Sequence, residues 1–289
     1  MSIAFSPREM MVALCAREIK DGETVFIGVG APLLAGMVAL RTHAPNMTLI
    51  FEAGGVGAAS RRIPWTISDS PTTENALAAM EMWRVMGDTQ RGYAQLGMLG
   101  GAQVDKFGNI NTTVILGEDR DYQKPLVRLP GSGGANDVAS SCGRTVLIMG
   151  LEKRRFVKKV DYITSPGYLT GGDTRVKAGL KGGGPAAVIT DRAVFRFEQQ
   201  TKEMYLDELF PGVTEDEVRN YVGWELKVSS NLRVADPPSE AEIGTMRQLD
   251  PLGIILGGKG IKQAESFDNY YSLMKKAYSE FESRVELRR

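Results

Sequence analysis

Short, wholly apolar runs that stop at glycine constrain this chain most. Thr24-Val25-Phe26-Ile27 ends in Gly28-Val29-Gly30, and Thr48-Leu49-Ile50-Phe51 ends in Glu52-Ala53-Gly54-Gly55. Such runs read as buried strands followed by tight turns. Between them, Leu33 to Arg41 reads as a helix with Pro32 at its start. The alternation continues down the chain. Thr73 to Met86 is rich in Ala and Met and predicts a helix, while Ala94 to Leu99 is again an apolar run. Thr145 to Met149 and Ala187 to Thr190 predict strands, the second pairing as a hairpin with the alternating run Val194 to Phe197. Strands alternating with helices predict an α/β fold with a mostly parallel sheet.

Capping boxes mark helix starts. Ser6-Pro7-Arg8-Glu9, Thr214-Glu215-Asp216-Glu217 and Ser239-Glu240-Ala241-Glu242 each place an acceptor hydroxyl three residues before a carboxylate. After the first, Met11, Leu14, Cys15 and Ile19 recur at helical spacing, so the N-terminal segment predicts an amphipathic helix rather than a signal peptide. With no run of about 18 apolar residues, no membrane-spanning helix is expected, and a cytoplasmic location is the expectation. The one plausible boundary lies at Gly257-Gly258-Lys259-Gly260, giving an expected main domain over 1–256 and a helical extension over 257–289. In that extension Phe267, Tyr270, Tyr271, Met274, Tyr278 and Phe281 form an aromatic stripe suited to packing on the body or on a partner.

Composition then removes function classes. Lys+Arg and Asp+Glu both number 35, so no chain-wide basic footprint for nucleic acid exists. The two cysteines, Cys15 and Cys142, form neither a CxxC pair nor a disulfide framework, which fits a reducing compartment. His43 is the single histidine, so a multi-histidine metal site is excluded and no metal is expected. His43 lies beside Pro45 at the end of a predicted helix, where capping the helix suits it better than catalysis. Glycine occurs 33 times in 289 residues, against an ordinary share of about 7%, so many positions need close backbone approach or a left-handed φ.

Three glycine-rich strand ends are where chemistry can sit: Gly28 to Pro32, Glu52 to Gly57, and Gly131-Ser132-Gly133-Gly134-Ala135-Asn136. In open α/β sheets ligands bind beyond the carboxyl ends of the strands. Glu52 emerges there from four apolar residues into glycine-lined space. Position alone leaves two roles open to it, capping the next turn or acting as a covalent nucleophile on an activated acyl group. Gly28-Val29-Gly30 lacks the third spaced glycine of the dinucleotide fingerprint, and no Walker A sequence is present.

Four ordered motifs carry a resemblance. Gly28-Val29-Gly30-Ala31-Pro32 followed by Phe51-Glu52-Ala53-Gly54 resembles the paired glycine and glutamate motifs of class I CoA-transferases. Gly100 to Asn111, reading GGAQVDKFGNIN, is similar to a further motif of that family, as is the Gly131 to Asn136 loop. Glu152 to Phe156 with Asp161 to Gly167 matches its EKRRF and DYxTSPG stretch. The likeness covers roughly 7–255, over which the chain resembles the glutaconate CoA-transferase β subunit. It implies an open Rossmann-like sheet with helices on both faces, an acyl-CoA substrate, and Glu52 as the nucleophile that becomes a glutamyl-CoA thioester.

The same resemblance implies that backbone N–H groups around Gly28, Val29, Gly30, Ala53, Gly54, Gly133, Gly134 and Ala135 form the oxyanion and substrate loops. Gln103, Asn109, Asn111, Asn136, Arg154 and Arg155 are candidate contacts to substrate or CoA. For Asn109 and Asn111 the other reading is ordering of the loop, and for the arginines a solvated face or subunit contact. Trp65 and Asp69 are candidates for shaping the acyl pocket. The implied partner is a homologous α subunit, in an α2β2 or larger hetero-oligomer. Ala53 stands where relatives often carry Ser or Asn, which points to a different acyl group. Two further readings stay open. One is a hydrolase or lyase on a CoA thioester with Glu52 as general base. The other is a noncatalytic nucleotide-binding subunit.

Overall fold

The computed structural model describes residues 4–251 and 253–257, together with Asp268, Tyr271, Ser272, Lys275, Lys276 and Ser279, which are helical. The chain divides into two compact units, Met1–Val85 with Pro238–Arg289, and Met86–Pro237. Of the aromatic stripe only Tyr271 falls within the described residues, so the expected packing of that extension lies outside them.

The first unit begins with α1 (Pro7–Arg17), β1 (Thr24–Ile27), α2 (Ala31–Arg41), β2 (Thr48–Phe51), β3 (Gly55–Val56), a 3-10 turn at Ser70–Thr73 and β4 (Ala78–Ala79). Helix α3 (Met82–Gln90) then leads the chain into the second unit. That unit holds β5 (Leu96–Leu99), β6 (Gln103–Val104), β7 (Ile110–Asn111), β8 (Val114–Ile115), β9 (Val127–Arg128) and α4 (Ala135–Ser141). It continues with β10 (Arg144–Ile148), α5 (Thr174–Lys177), β11 (Pro185–Ile189), β12 (Ala193–Phe197), β13 (Met204–Leu209), α6 (Glu215–Arg219) and β14 (Lys227–Val234). Helix α7 (Glu240–Leu249) returns to the first unit.

In the first unit β1 and β2 run parallel, and β3 and β4 add antiparallel ribbons after β2. Helix α2 packs on β1 and in turn against α1 and α7, with Val25, Leu33, Leu34, Val38, Leu49 and Met246 buried. In the second unit β5, β10 and β11 are parallel, β12 and β13 antiparallel, and β14 parallel to β13. This is the α/β class that the alternation predicts. The hairpin of β11 and β12 is present. Ser6 and Ser239 both form complete capping boxes, with Glu9 and Glu242. Thr214 accepts from the Glu217 N–H at the start of a helix only five residues long.

One predicted element differs. Thr73 ends the 3-10 turn, residues 74–81 are not helical, and α3 begins only at Met82. Asn75 takes a left-handed φ of 52°. Beyond it, Leu77 N–H bonds Val56 C=O at 2.9 Å and Met80 N–H bonds Gly54 C=O at 3.0 Å. The backbone at Ala78–Ala79 is thus recruited as a strand, which overrides the modest helix propensity of its alanines.

Candidate active site

Parallel pairing brings two of the candidate segments together. Thr24 to Ile27 pair residue by residue with Thr48 to Phe51, ending on Ile27 opposite Phe51. The next residues on the two strands are Gly28 and Glu52. Adjacent strands lie about 4.8 Å apart, so the glycine loop and the carboxylate leave the buried sheet side by side at its carboxyl edge. Phe51 is buried, whereas Glu52 and Ala53 are half-buried.

The turn after β2 can only be built from small residues. Gly54 N–H bonds Phe51 C=O at 3.0 Å, and Gly54 has φ 122°. A Cβ on Gly54 would overlap the Met80 carbonyl, and one on Gly55 would overlap the Thr72 carbonyl. The glycines thus let β4 and the 3-10 turn close over the residues that follow Glu52. Gly30 is glycine for another reason. It caps α2 with φ 88° and ψ −138°, and a Cβ there would meet nothing within 4 Å. The space beside it is open, and Val29 is exposed.

Of the two residues expected to shape an acyl pocket, Asp69 is tied into the scaffold. Asp69 accepts from Arg62 Nη1 and Nη2 at 2.7 Å each, and from Trp65 N–H at 3.0 Å. Arg62 is 1% exposed and lies 5.1 Å from the Trp65 ring centroid. Sequence reasoning passed over Arg62, because a buried ion pair leaves no spacing signal. His43 bonds the Ile19 carbonyl through Nε2 at 3.1 Å and Thr42 Oγ1 through Nδ1 at 3.1 Å. It ties α2 to the segment after α1 rather than capping α2's own carbonyls.

In the second unit the Gly131 to Gly134 loop leads into α4. Gly131 N–H bonds Thr112 C=O at 2.9 Å, and Thr112 Oγ1 donates to Gly131 C=O at 2.8 Å. Gly131 and Gly133 have φ 95° and 48°. Gly133 and Asn136 are exposed, Gly134 is buried, and Ala135 is half-buried at the first position of α4. Asn136 Oδ1 accepts from Ser140 Oγ at 3.3 Å.

Gln103, Asn109 and Asn111 are all buried, and their polar atoms are used internally. Asn109 Nδ2 donates to Asp105 and to Leu169 C=O at 2.7 Å, and Oδ1 accepts from Gly167 and Leu169 N–H. Asn111 Nδ2 donates to Gln103 Oε1 at 2.7 Å and Val114 C=O at 2.6 Å. Gln103 Nε2 reaches Asp161 Oδ2 at 3.0 Å. Of the two roles the sequence left open to Asn109 and Asn111, the geometry favours ordering the loops. Burial pushes the Asp105 carboxyl up against the opposing bonds from Asn109 and the Phe107 N–H.

Arg154 and Arg155 both bond Glu152, at 2.6 and 2.9 Å, and Arg155 also donates to Gly101 C=O. The Arg154 hydrogen bond, with Arg155 beside it, holds Glu152 below the ordinary carboxylate range despite some burial. Lys153, Lys158 and Lys159 are exposed. Cys15 and Cys142 are both buried, and burial pushes the Cys142 thiol up to about 12. Among the described residues no group of three or more His, Cys, Asp and Glu is arranged to hold a metal ion. Among them, too, no helix is long and apolar enough to cross a membrane.

Comparison with known proteins agrees with this geometry. Residues 8–220 match the Coenzyme A transferase family profile. The chain is 40% identical over 250 residues to the B-type subunit of the 3-oxoadipate CoA-transferase of Pseudomonas knackmussii, covering 86% of this chain and 94% of that protein. It is 34% identical over 254 residues to the B-type subunit of the glutaconate CoA-transferase of Acidaminococcus fermentans, covering 86% and 93%. The crystal structure of that organism's glutaconate CoA-transferase superposes with a TM-score of 0.80 at 33% identity, over 87% of this chain and 97% of that one. The decarboxylase AibA/AibB superposes with a TM-score of 0.74 at 26% identity, over 86% and 97%. The motif resemblance and the α/β fold it implies therefore both hold, and the chain belongs to the coenzyme A transferase family.

Proposed function

We propose that this chain is the B-type subunit of a two-subunit CoA-transferase and that Glu52 is its nucleophile. The observation that carries the reading is the register of β1 and β2, which brings a half-buried carboxylate and an open glycine loop out of one sheet edge together. The Glu52 carboxylate attacks the carbonyl carbon of the donor thioester, forming an acyl-glutamyl anhydride and expelling CoA thiolate. The thiolate attacks the glutamyl carbonyl, releasing the donor acid and leaving a glutamyl-CoA thioester. The acceptor carboxylate reverses both steps. One thioester replaces another, so the exchange is nearly isoenergetic and needs no nucleotide hydrolysis. Backbone N–H groups of Gly28 to Gly30, Ala53 and Gly133 are the donors we assign to the developing oxyanions, whereas those of Gly54 and Ala135 are spent on the Phe51 and Ser132 carbonyls.

The two relatives named above at 40% and 34% identity belong to enzymes named for dicarboxylic acids, 3-oxoadipate and glutaconate, which supports a dicarboxylic acyl group. Each is the B-type half of its enzyme, which supports a homologous A-type subunit as partner in a hetero-oligomer. The test is intact-protein mass spectrometry of the co-purified complex with acyl-CoA donors and no acceptor acid. A species heavier by one CoA less water, absent in Glu52→Ala, supports transfer through Glu52. Donor consumption without an adduct overturns it in favour of hydrolysis or carbon–carbon cleavage. The likeness to a decarboxylase is what keeps that second reading in view.

A further inference from the structure

We propose that Arg175 is a positioning residue for the Gly131 to Gly134 loop, and through it for the transfer step. This rests on reading that loop as part of the substrate site. Arg175 is 3% exposed, and all five of its guanidinium N–H groups fall on backbone carbonyls. Nε donates to Gly182 at 2.8 Å, and Nη1 to Pro166 at 3.1 Å and Gly167 at 2.9 Å. Nη2 donates to Ala139 at 2.7 Å and Ser140 at 3.2 Å. The last two carbonyls belong to the final turn of α4, where helical partners are missing and the dipole favours a cation.

A single planar fork thus ties the end of α4 to the 166–167 and 182 segments. The other end of the loop has its own anchor, the paired hydrogen bonds between Thr112 and Gly131. The short α4 also lies tight on β5, since a Cβ on Gly97 would overlap Val138. The glycine loop is therefore held between two fixed points, and Gly131 and Gly133 within it take positive φ values that favour glycine. Lysine, a point charge with three donors, cannot hold the same carbonyls.

The test uses the complex with its partner subunit, about 15 °C below the melting point of each variant. Arg175→Lys and Arg175→Gln are expected to lower kcat and the rate of CoA-adduct formation on Glu52 by about tenfold or more, with KM for the acyl-CoA changed less than about threefold. Thr112→Val, which loosens the opposite anchor, is expected to move the same two rates in the same direction. A lowered melting point with wild-type kcat and adduct rate in the Arg175 variants would overturn the proposal. So would wild-type rates in Thr112→Val if the Arg175 variants fail to fold. Gly133→Val separates the two ideas. If it blocks the adduct while Arg175→Lys does not, the loop reading stands and the Arg175 role falls. If it leaves the adduct unchanged, the loop reading falls and takes this proposal with it.

Discussion

Arg17 and Glu242 are joined by two hydrogen bonds of 2.9 and 2.8 Å, and the mirror pair Arg247 and Glu9 repeats the arrangement at 2.7 Å. Each glutamate completes a capping box at the start of one helix, and each arginine lies in the last turn of the other. Helices α1 and α7 are therefore antiparallel, and every carboxylate serves both its own helix start and its neighbour's end. Glu242→Ala removes a cap and an ion pair at once. With Arg17 about a third exposed and screened, the expected loss is about 1–3 kcal/mol, read as a lowered melting temperature.

The same pairs set an acid limit. Burial raises the carboxyls of Glu9 and Glu242, but their arginines and capping serines outweigh it and leave both below the ordinary 4.5. The folded values lie below the unfolded ones, so the stabilisation is present above pH 4.5 and is lost as pH falls through the folded values. Melting temperatures between neutral pH and acid are expected to fall more steeply for the wild type than for Glu9→Gln/Glu242→Gln. Parallel curves would contradict this account.

Shortening Glu52, the proposed nucleophile, tests its placement. Glu52→Asp keeps the carboxylate but withdraws it by one methylene. Such a displacement is expected to reduce kcat about 100-fold with little change in melting temperature. Steady-state rates in the presence of the partner subunit measure it.

Two glycines should respond differently. Gly30→Ala meets no atoms but must hold φ 88° and ψ −138°, outside the left-handed helical well, so its expected cost is about 1–3 kcal/mol. Gly55→Ala drives a methyl into the Thr72 carbonyl, an overpacking expected to cost about 3 kcal/mol or more. Chemical denaturation of the two variants ranks them directly.

Asp69→Ala leaves the Arg62 guanidinium buried without its carboxylate. The expected destabilisation is about 3–5 kcal/mol, well above that of Glu242→Ala, because Arg62 is 1% exposed. Denaturant midpoints measured side by side check the order.

Neither thiol should react in the native protein. Both cysteines are buried, with Cys142 pushed up to about 12 and Cys15 also pushed up by burial. A thiol reagent at mild alkaline pH is expected to label neither in the folded chain and both in denaturant.

Local chemistry made much of this molecule legible. The strands Thr24–Ile27 and Thr48–Phe51 have the bounds that their apolar runs predict, because a strand buried on both faces is written as a continuous run. The complete capping boxes at Ser6 and Ser239 are equally local, since donor and acceptor lie three residues apart. Glu52 was legible as the first polar residue after such a run. Residues 73–81 were not legible as strand and turn, because their fate depends on Gly54 and Val56 offering carbonyls from a distant segment. Nor were Arg62 and Arg175 visible as fixed points, since nothing in their spacing marks the partners they reach.

The sequence by itself determined which segments are strands, where helices begin, and which carboxylate stands at a strand end, because these follow from periodicity and neighbouring side chains. Only the tertiary structure decided that Gln103, Asn109 and Asn111 spend their polar atoms on the scaffold, and that Gly28 and Glu52 emerge together. Those outcomes depend on strand register and on hydrogen bonds between residues far apart in the chain, which no local pattern of residues encodes.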